Sequence, residues 1–430
     1  MFFDLPVELQ RVCVHTLHVD ALKEFRLVNK TALALATEVL FGTVSLMPSD
    51  ESAEKFTNIL HDETLSSFVR KVIFNTSHDP AAEDRKESDL LDSFADAMRS
   101  VGRFKNLKVV DLGFALNCAH EDGSVTGWEK EVAETVSFRT DVLETLLEGM
   151  DNDQTPATNV NHLVIKNLQD GTSPGIYNSA GFISVLGRLK RLHLNITTET
   201  DEASPEDEIM KPSLHRCFNR DLSERWLKPL QQQLTHLTIY CSTFWGFFPV
   251  CDLRGVHFPN LKSLSLGNWT IVHVWQIQWL LSHGRTLEAV ILDDCPIVTV
   301  LKVNAEQKPK EWNLAVSSES PTSQIDIKEI GMRWHHVFPR FQLELPHLQH
   351  FALGQGGWKE GTQFEERYDL APRLLKSRYQ MFDCGIGPSH FFESGEAEKT
   401  TWLFPTCDDQ DFEALISLLE VVQERWDAMI

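Results

Sequence analysis

The sequence predicts an α/β fold in which a module of three helices precedes a long series of strands and helices. Three observations predict it. The first 47 residues contain three helical segments with apolar faces, a short apolar motif recurs between residues 69 and 353, and helical stripes fill several gaps between its copies. A chain of 430 residues that is 42% hydrophobic can bury a large core, which argues against wholesale disorder.

The N-terminal module, residues 1–47, is predicted from helix-start signals and apolar spacing. Asp4 and Asp20 are candidate N-caps of the first two helices, and Asn29 or Thr31 can start the third. Three helices of about ten residues make a bundle too small to be firmly stable alone. Leftover apolar surface is therefore expected to meet a partner or the rest of the chain. An ordinary helical cap on a larger domain is the alternative.

Three segments of this module carry a family resemblance: Phe3–Leu9, Leu22–Lys30 and Leu40–Leu46. Their order resembles an F-box, most of all the form common in filamentous fungi. The resemblance implies docking onto a Skp-type adaptor, which links members of that family to a cullin-based ubiquitin ligase. By position, the family's adaptor contacts fall on Leu5, Pro6, Leu9, Leu22, Leu27 and Val28.

Residues 48–380 are predicted to form strand–helix repeats. The repeated motif is apolar-x-x-apolar-x-apolar, whose alternating last positions are typical of a strand. Its eight copies begin at Val69, Leu107, Val160, Leu189, Leu234, Leu261, Leu287 and Leu348. Several copies lie 26 to 29 residues apart, and longer gaps indicate insertions at about residues 195–215 and 304–325. The array resembles an irregular leucine-rich-repeat solenoid, and a non-solenoid α/β domain is the alternative.

Apolar stripes at helical spacing lie within residues 90–101, 142–150 and 274–281, each before a predicted strand. In the C-terminal segment, residues 381–430, Phe412, Leu415, Leu419 and Trp426 recur at helical spacing. They predict a helix that caps the end of the array.

Composition excludes several classes of protein. The net charge of −22, from 62 acidic and 40 basic residues, removes most of the electrostatic attraction for nucleic acid. No apolar run approaches the roughly 20 residues that span a membrane, and the N-terminus has no signal-peptide pattern. Eight scattered cysteines without a Cys-x-x-Cys pair predict reduced thiols in the cytoplasm or nucleus. The acidic run at residues 199–208 is expected to be a solvated loop or a docking site for a basic partner.

Catalytic and cofactor motifs are not evident. Residues 171–175 match Gly-x-Ser-x-Gly, but Pro174 has no backbone N–H to offer an oxyanion. The close histidine pairs lack a carboxylate in ligand spacing, and no phosphate-binding or dinucleotide fingerprint is present. The sequence therefore predicts no enzyme activity, no cofactor and no metal.

The expected function is that of a substrate-recognition adaptor subunit of an SCF-type ubiquitin ligase. The module would bind the Skp-type adaptor and the repeats an unknown client protein, whereas a non-degradative interaction scaffold is the alternative. Residues between the buried positions of the repeat would face the open side of the sheet, and aromatic side chains often anchor interfaces. The expected client-binding residues are Arg191, His193, Asn195, Tyr240, Trp245, Asp293 and His350. For the aromatic residues around Trp245, packing against the core is the alternative.

Overall fold

A computed structural model of the chain describes residues 2–77, 90–120, 133–171, 174–199, 215–304, 325–356, 370, 372–383 and 405–428. Its centre is one sheet of nine parallel strands, which lie side by side in the order in which the chain reaches them. These strands are β1 (Thr43–Leu46), β2 (Lys71–Asn75), β3 (Val109–Gly113), β6 (His162–Gln169), β7 (Arg191–Thr197), β8 (His236–Cys241), β9 (Ser263–Gly267), β10 (Ala289–Asp293) and β13 (His350–Gly354).

Two smaller sheets accompany the main one. Strands β4 (Cys118–Ala119) and β5 (Glu134–Thr135) pair in parallel. Strand β11 (Ile297–Asn304) lies between β12 (Ile325–Glu329), which is antiparallel to it, and β14 (Tyr379–Asp383), which is parallel to it.

The helices flank the main sheet. Those that the structure describes as α-helices are α1 (Val7–His15), α2 (Val19–Phe25), α3 (Lys30–Leu40), α4 (Asp50–His61), α5 (Glu63–Phe68), α6 (Asp92–Arg99), α7 (Val136–Met150), α8 (Ala180–Leu186), α9 (Val274–Leu281), α10 (Trp334–Glu344) and α11 (Asp408–Asp427). A π-helix occupies Cys217–Leu227. Among the described residues, none of the helices combines the length and apolar composition that crossing a lipid bilayer requires.

The core lies between the sheet and its helices. Alternate apolar residues of neighbouring strands are in register, as in the row Leu163, Leu192 and Leu237, and they are almost fully buried. Helix residues such as Phe94 and Val142 belong to the same apolar cluster. The alternation leaves a second face of the sheet, which carries most of the polar strand residues.

This architecture corrects the predicted fold class. The prediction of a three-helix F-box followed by an irregular leucine-rich-repeat solenoid is wrong, because the structure is an α/β fold built on one nine-stranded parallel sheet flanked by helices. The apolar motif identifies a buried parallel strand and the residue before it. Any parallel sheet that is covered by helices produces the same pattern, so the motif does not distinguish a solenoid from this sheet.

The predictions of individual strands and helices were more accurate than the prediction of the fold class. Each of the eight predicted strands is present, as β2, β3, β6, β7, β8, β9, β10 and β13. The predicted stripes correspond to α6, α7 and α9, and the predicted C-terminal helix to α11. Strand β1, the two smaller sheets and the π-helix were not predicted. Residues 200–214 and 305–324 of the two predicted insertions, and residues 384–404 of the C-terminal segment, lie outside the described residues.

The N-terminal helices lead directly into the sheet. Asn29 is the N-cap of α3, and its side chain accepts a hydrogen bond from the Ala32 N–H at 2.8 Å. The first helix begins two residues later than predicted, with Pro6 at its N-cap position instead of Asp4. The second begins two residues earlier, with His18 there instead of Asp20. Since α3 is followed at once by β1, which pairs with β2, these helices form the start of the α/β structure.

Candidate functional site

Exposed large apolar side chains are concentrated in the first three helices. Of the eighteen on the described surface, ten lie between Phe3 and Leu33, so the remaining surface carries few of them. We call these ten the N-terminal apolar surface: Phe3, Leu5, Val7, Leu9, Val12, Leu17, Val19, Leu27, Val28 and Leu33. The most exposed is Leu27, at 81%, which lies with Val28 in the turn between α2 and α3.

These side chains remain exposed because the helices have little interior of their own. Their buried cluster consists of Val14, Leu22, Leu35 and Ala36. Four buried residues cannot cover three amphipathic helices, and a surface of this kind is typical of a partner-binding site.

Five of the six predicted adaptor contacts lie on the exposed side of the helices. Leu5, Pro6, Leu9, Leu27 and Val28 are exposed. Leu22 is only 2% exposed and belongs to the small core, so it is not available to a partner. Apolar spacing predicts which residues share a helix face, but it does not show which face turns inward.

Most of the predicted client contacts are buried. Arg191 is exposed, and Asn195 and His350 are half-buried. His193, Tyr240, Trp245 and Asp293 are at most 5% exposed, so the prediction that they line an accessible surface is wrong for these four.

Trp245 shows the physical reason. Its Nε1–H donates to the Gly267 carbonyl at 2.8 Å, and its ring lies 5.6 Å from Phe218 and 6.2 Å from Trp269. The ring fills the space between the end of β9 and the π-helix. Packing against the core, the alternative left open for these aromatic residues, is what the structure shows.

Two adjacent acidic residues, Asp293 and Asp294, lie at the carboxyl end of β10. Asp293 accepts a hydrogen bond from the Gly356 N–H at 2.7 Å. Burial, and then the charge of Asp293, raises the pKa of Asp294 to about 7. A carboxyl with this pKa resembles a general acid, but Asp294 is only 3% exposed.

A buried ion pair joins the ends of strands on the N-terminal half of the sheet. The Arg139 Nε donates to the Glu134 carboxylate at 2.9 Å, and both side chains are almost fully buried. The remaining Arg139 nitrogens donate to the carbonyls of Asn167, Ala115 and Asn117. Because its guanidinium donors are occupied, this pair cross-links loops and has no group directed at a substrate.

One cluster has the donor types of a metal site. One donor atom from each of His335, Cys407 and Asp411 lies within 4.8 Å of the other two. The Asp411 carboxylate already accepts hydrogen bonds from Arg378 Nε at 2.9 Å and from the Tyr379 hydroxyl at 2.7 Å.

The charge state of this cluster fits an ion-pair clamp. Burial alone would raise the pKa of Asp411, but hydrogen bonds from Tyr379, Arg378 and His335 hold it below its ordinary value. Burial raises the pKa of the Cys407 thiol, which disfavours the thiolate that a metal would need. A cation bound there would also lie beside the Arg378 guanidinium. The cluster therefore fixes the start of α11 to β14 and α10.

Sequence reasoning missed a second polar surface, at the amino ends of the strands. In the motif, the residue after the leading apolar position lies just before the strand. From the second copy onward its N–H donates to the carbonyl of the equivalent residue one strand earlier, which extends the sheet by one row. The next residue is the first of the strand itself. The signal was present in the sequence, because these positions are rich in lysine, arginine and histidine in a chain that is acidic overall. Counting charge over the whole chain concealed it.

Comparison with known proteins does not assign a function to these sites. No family model matches the chain, and no curated protein matches it either.

Proposed function

We propose that this chain is a substrate-recognition adaptor subunit of an SCF-type ubiquitin ligase. In this proposal the N-terminal apolar surface binds a Skp-type adaptor, and through it a cullin, while the sheet binds a client protein. The identity of the adaptor comes from the resemblance of the first 46 residues to F-box sequences. The chain would act in the cytoplasm or nucleus.

The observation that supports the proposal best is the N-terminal apolar surface itself. Leaving side chains such as Leu27, Val28 and Val12 in water is unfavourable by about 25 cal/mol for each Å² that a partner could cover. The three helices cannot bury these side chains among themselves, whereas a partner that covers them recovers that free energy. Five of the six residues that the resemblance assigns to the adaptor belong to the exposed part of the same helices.

In this proposal the chain contributes proximity and no bond-making step. A client held near a ubiquitin-loaded enzyme experiences a high effective concentration of the reacting partner. The buried polar clusters at Glu134–Arg139 and at Asp411 are occupied by internal partners, which supports a non-enzymatic role.

A pull-down with purified Skp-type adaptor tests the proposal. The variant Leu27→Asp/Val28→Asp places two charges on the most exposed part of the surface and should abolish capture, because burying an unpaired carboxylate is costly. Both side chains are largely solvated, so the variant should fold normally by circular dichroism.

The chain offers a closely matched control. Leu343 on α10 is 81% exposed and Val274 on α9 is 57% exposed, nearly the values of Leu27 and Val28. Leu343→Asp/Val274→Asp should bind the adaptor like the wild type. Equal loss in both variants, or no capture by the folded wild-type protein, would sink the proposal.

Client turnover separates the degradative role from a protein-interaction scaffold. A scaffold would bind adaptor and client without shortening the lifetime of the client. Measuring the client's half-life with wild-type protein and with Leu27→Asp/Val28→Asp distinguishes the two, since only the degradative role predicts a longer half-life in the variant.

A further inference from the structure

The amino ends of the main strands form one continuous row of residues. The N–H of Lys108 donates to the Arg70 carbonyl, and the same contact repeats strand by strand at 2.7–3.1 Å until the Gln349 N–H reaches Glu288. The row consists of Arg70, Lys108, Asn161, Lys190, Thr235, Lys262, Glu288 and Gln349. Neighbouring strands lie about 4.8 Å apart, so successive members of the row are separated by about that distance.

This row and the residue after each member are basic. The eight members of the row and the eight residues that follow them make sixteen positions. Six of these are lysine or arginine: Arg70, Lys108, Lys190 and Lys262 in the row, and Lys71 and Arg191 after it. Three further positions are histidines, His162, His236 and His350, and Glu288 is the one acid. The whole chain has 62 acids against 40 bases, so a local excess of cations here runs against its composition.

Two adjoining cavities open at the centre of this row. The larger, about 550 Å³, is lined by Lys190, Lys262 and Arg285 together with hydroxyl and amide side chains. The smaller, about 290 Å³, lies beside Arg191 and His236. Lys262 and Glu288 line both cavities, so the two form one polar groove. We call these cations and this groove the basic edge.

The cations at the centre of the basic edge are not all neutralised. Lys262 pairs with Glu288 at 2.8 Å. Lys190, Arg191 and Arg285 are exposed, and no acidic side chain within the described residues pairs with any of them. Burial, and then the positive charge of Arg191, lowers the pKa of His236 to about 4, while Glu288 opposes the shift, so this imidazole is neutral near pH 7.

We infer that the basic edge is a binding site for a short acidic segment of a partner protein. Lys108, Lys190 and Lys262 are separated by two strands each, which corresponds to about 10 Å. A peptide in the polyproline II conformation has three residues per turn and a rise of about 3.1 Å per residue, so every third side chain lies on the same side at about that distance. A segment with Asp or Glu at every third position could therefore cross the strands and meet one cation after another.

The charge of the whole molecule favours a short acidic peptide over nucleic acid. A net charge of −22 repels any long polyanion that extends beyond the basic edge. A segment that ends within the groove avoids most of that repulsion. The inference rests on the proposed function only in that the partner would then be the client.

Fluorescence anisotropy with a dye-labelled peptide tests the inference on the full chain. The probe carries Glu at every third position, and its control peptide carries Gln at the same positions. Wild-type protein should bind the Glu peptide and not the Gln peptide. Lys190→Gln/Arg191→Gln should weaken binding about tenfold, because two exposed cations are lost.

Lys55→Gln/Arg99→Gln is the matched control, since both residues are exposed cations on helices α4 and α6 and their loss changes the net charge equally. It should bind the Glu peptide like the wild type. No binding by the wild type, or equal weakening in the control, would overturn the inference. Displacement of the peptide by a lower concentration of an oligonucleotide would replace it with a nucleic-acid site.

The two proposals can fail separately. Leu27→Asp/Val28→Asp leaves the basic edge unchanged and should bind the Glu peptide with wild-type affinity. Peptide binding without adaptor binding would remove the ligase role and keep this site. Adaptor binding without peptide binding would do the reverse.

Discussion

Asp294 is a residue whose backbone and charge both depend on its position at the end of β10. Its φ of 53° is in the left-handed region, which asparagine and aspartate tolerate better than most residues. Its side chain is buried against Asp293, and its pKa is raised to about 7, first by burial and then by that neighbour.

This carboxyl should make stability depend on pH. Between pH 3.8 and about 7 the folded state keeps a proton that the unfolded state has released, so the free energy of unfolding falls as pH rises through this window. Asp294→Asn keeps the backbone preference and removes the charge. The free energy of unfolding of the wild type should fall by at most about 4 kcal/mol across this window, and the variant should lack this decrease. Urea unfolding at about pH 4 and about pH 8 measures the difference, and an unchanged decrease in the variant would assign it to other groups.

Asp411 holds the C-terminal helix through a buried charge. Asp411→Asn should lower the free energy of unfolding by about 3–5 kcal/mol, because Arg378 is left buried with a weaker partner. Asp408 also contacts Arg378, at 2.6 Å, but its side chain is 77% exposed. Asp408→Asn should therefore cost less than about 1 kcal/mol. Similar losses for both variants, measured by urea unfolding, would contradict the clamp.

At the scale of elements, the N-cap of α3 is Asn29, one of the two residues that the sequence offered as the start of this helix. Asn29→Ala removes the hydrogen bond to the Ala32 N–H and should destabilise the protein by about 1 kcal/mol. Asn29→Ser can still accept that bond and should cost little. Thermal unfolding of both variants provides the measurement, and equal midpoints would show that α3 does not depend on this cap.

Elements with a strong local pattern could be predicted, and those formed by distant pairing could not. Strand β7 could be predicted because apolar residues such as Leu192 and Leu194 alternate along it. Strand β1 has only four residues and two buried side chains, Val44 and Leu46, which is too few to establish a period. The pairing of β11 with β14 joins segments that lie more than 70 residues apart and leaves no local signal.

The same limit applies to the candidate sites. The family resemblance predicted Leu27 and Val28 as adaptor contacts, and both are exposed. The resemblance failed at Leu22, and the expectation that aromatic residues anchor a client failed at Trp245, because whether an apolar side chain faces the core or the solvent depends on packing between elements. The basic edge escaped notice because it appears only when the strands are aligned side by side.

At the scale of the whole molecule, the net charge of −22 should oppose the compact state through self-repulsion. Raising the salt concentration from about 0.01 M to about 0.15 M shortens the screening length from about 30 Å to about 8 Å. The thermal midpoint should therefore rise by a few degrees, on the order of 1 kcal/mol. An uncharged solute at matched osmolality is the control, and an equal rise with it would show that screening is not the cause.

The order of strands in the main sheet has a consequence for how the protein is made. Because the strands lie side by side in chain order, each one leaves the ribosome after its earlier neighbour is already present. We expect protease-protected fragments of arrested nascent chains to lengthen in step with successive strands, and protection that appears only at full length would contradict this. A stalled chain would then hold a narrower version of the same sheet. The unpaired edge of its last strand would be the surface that a chaperone has to cover.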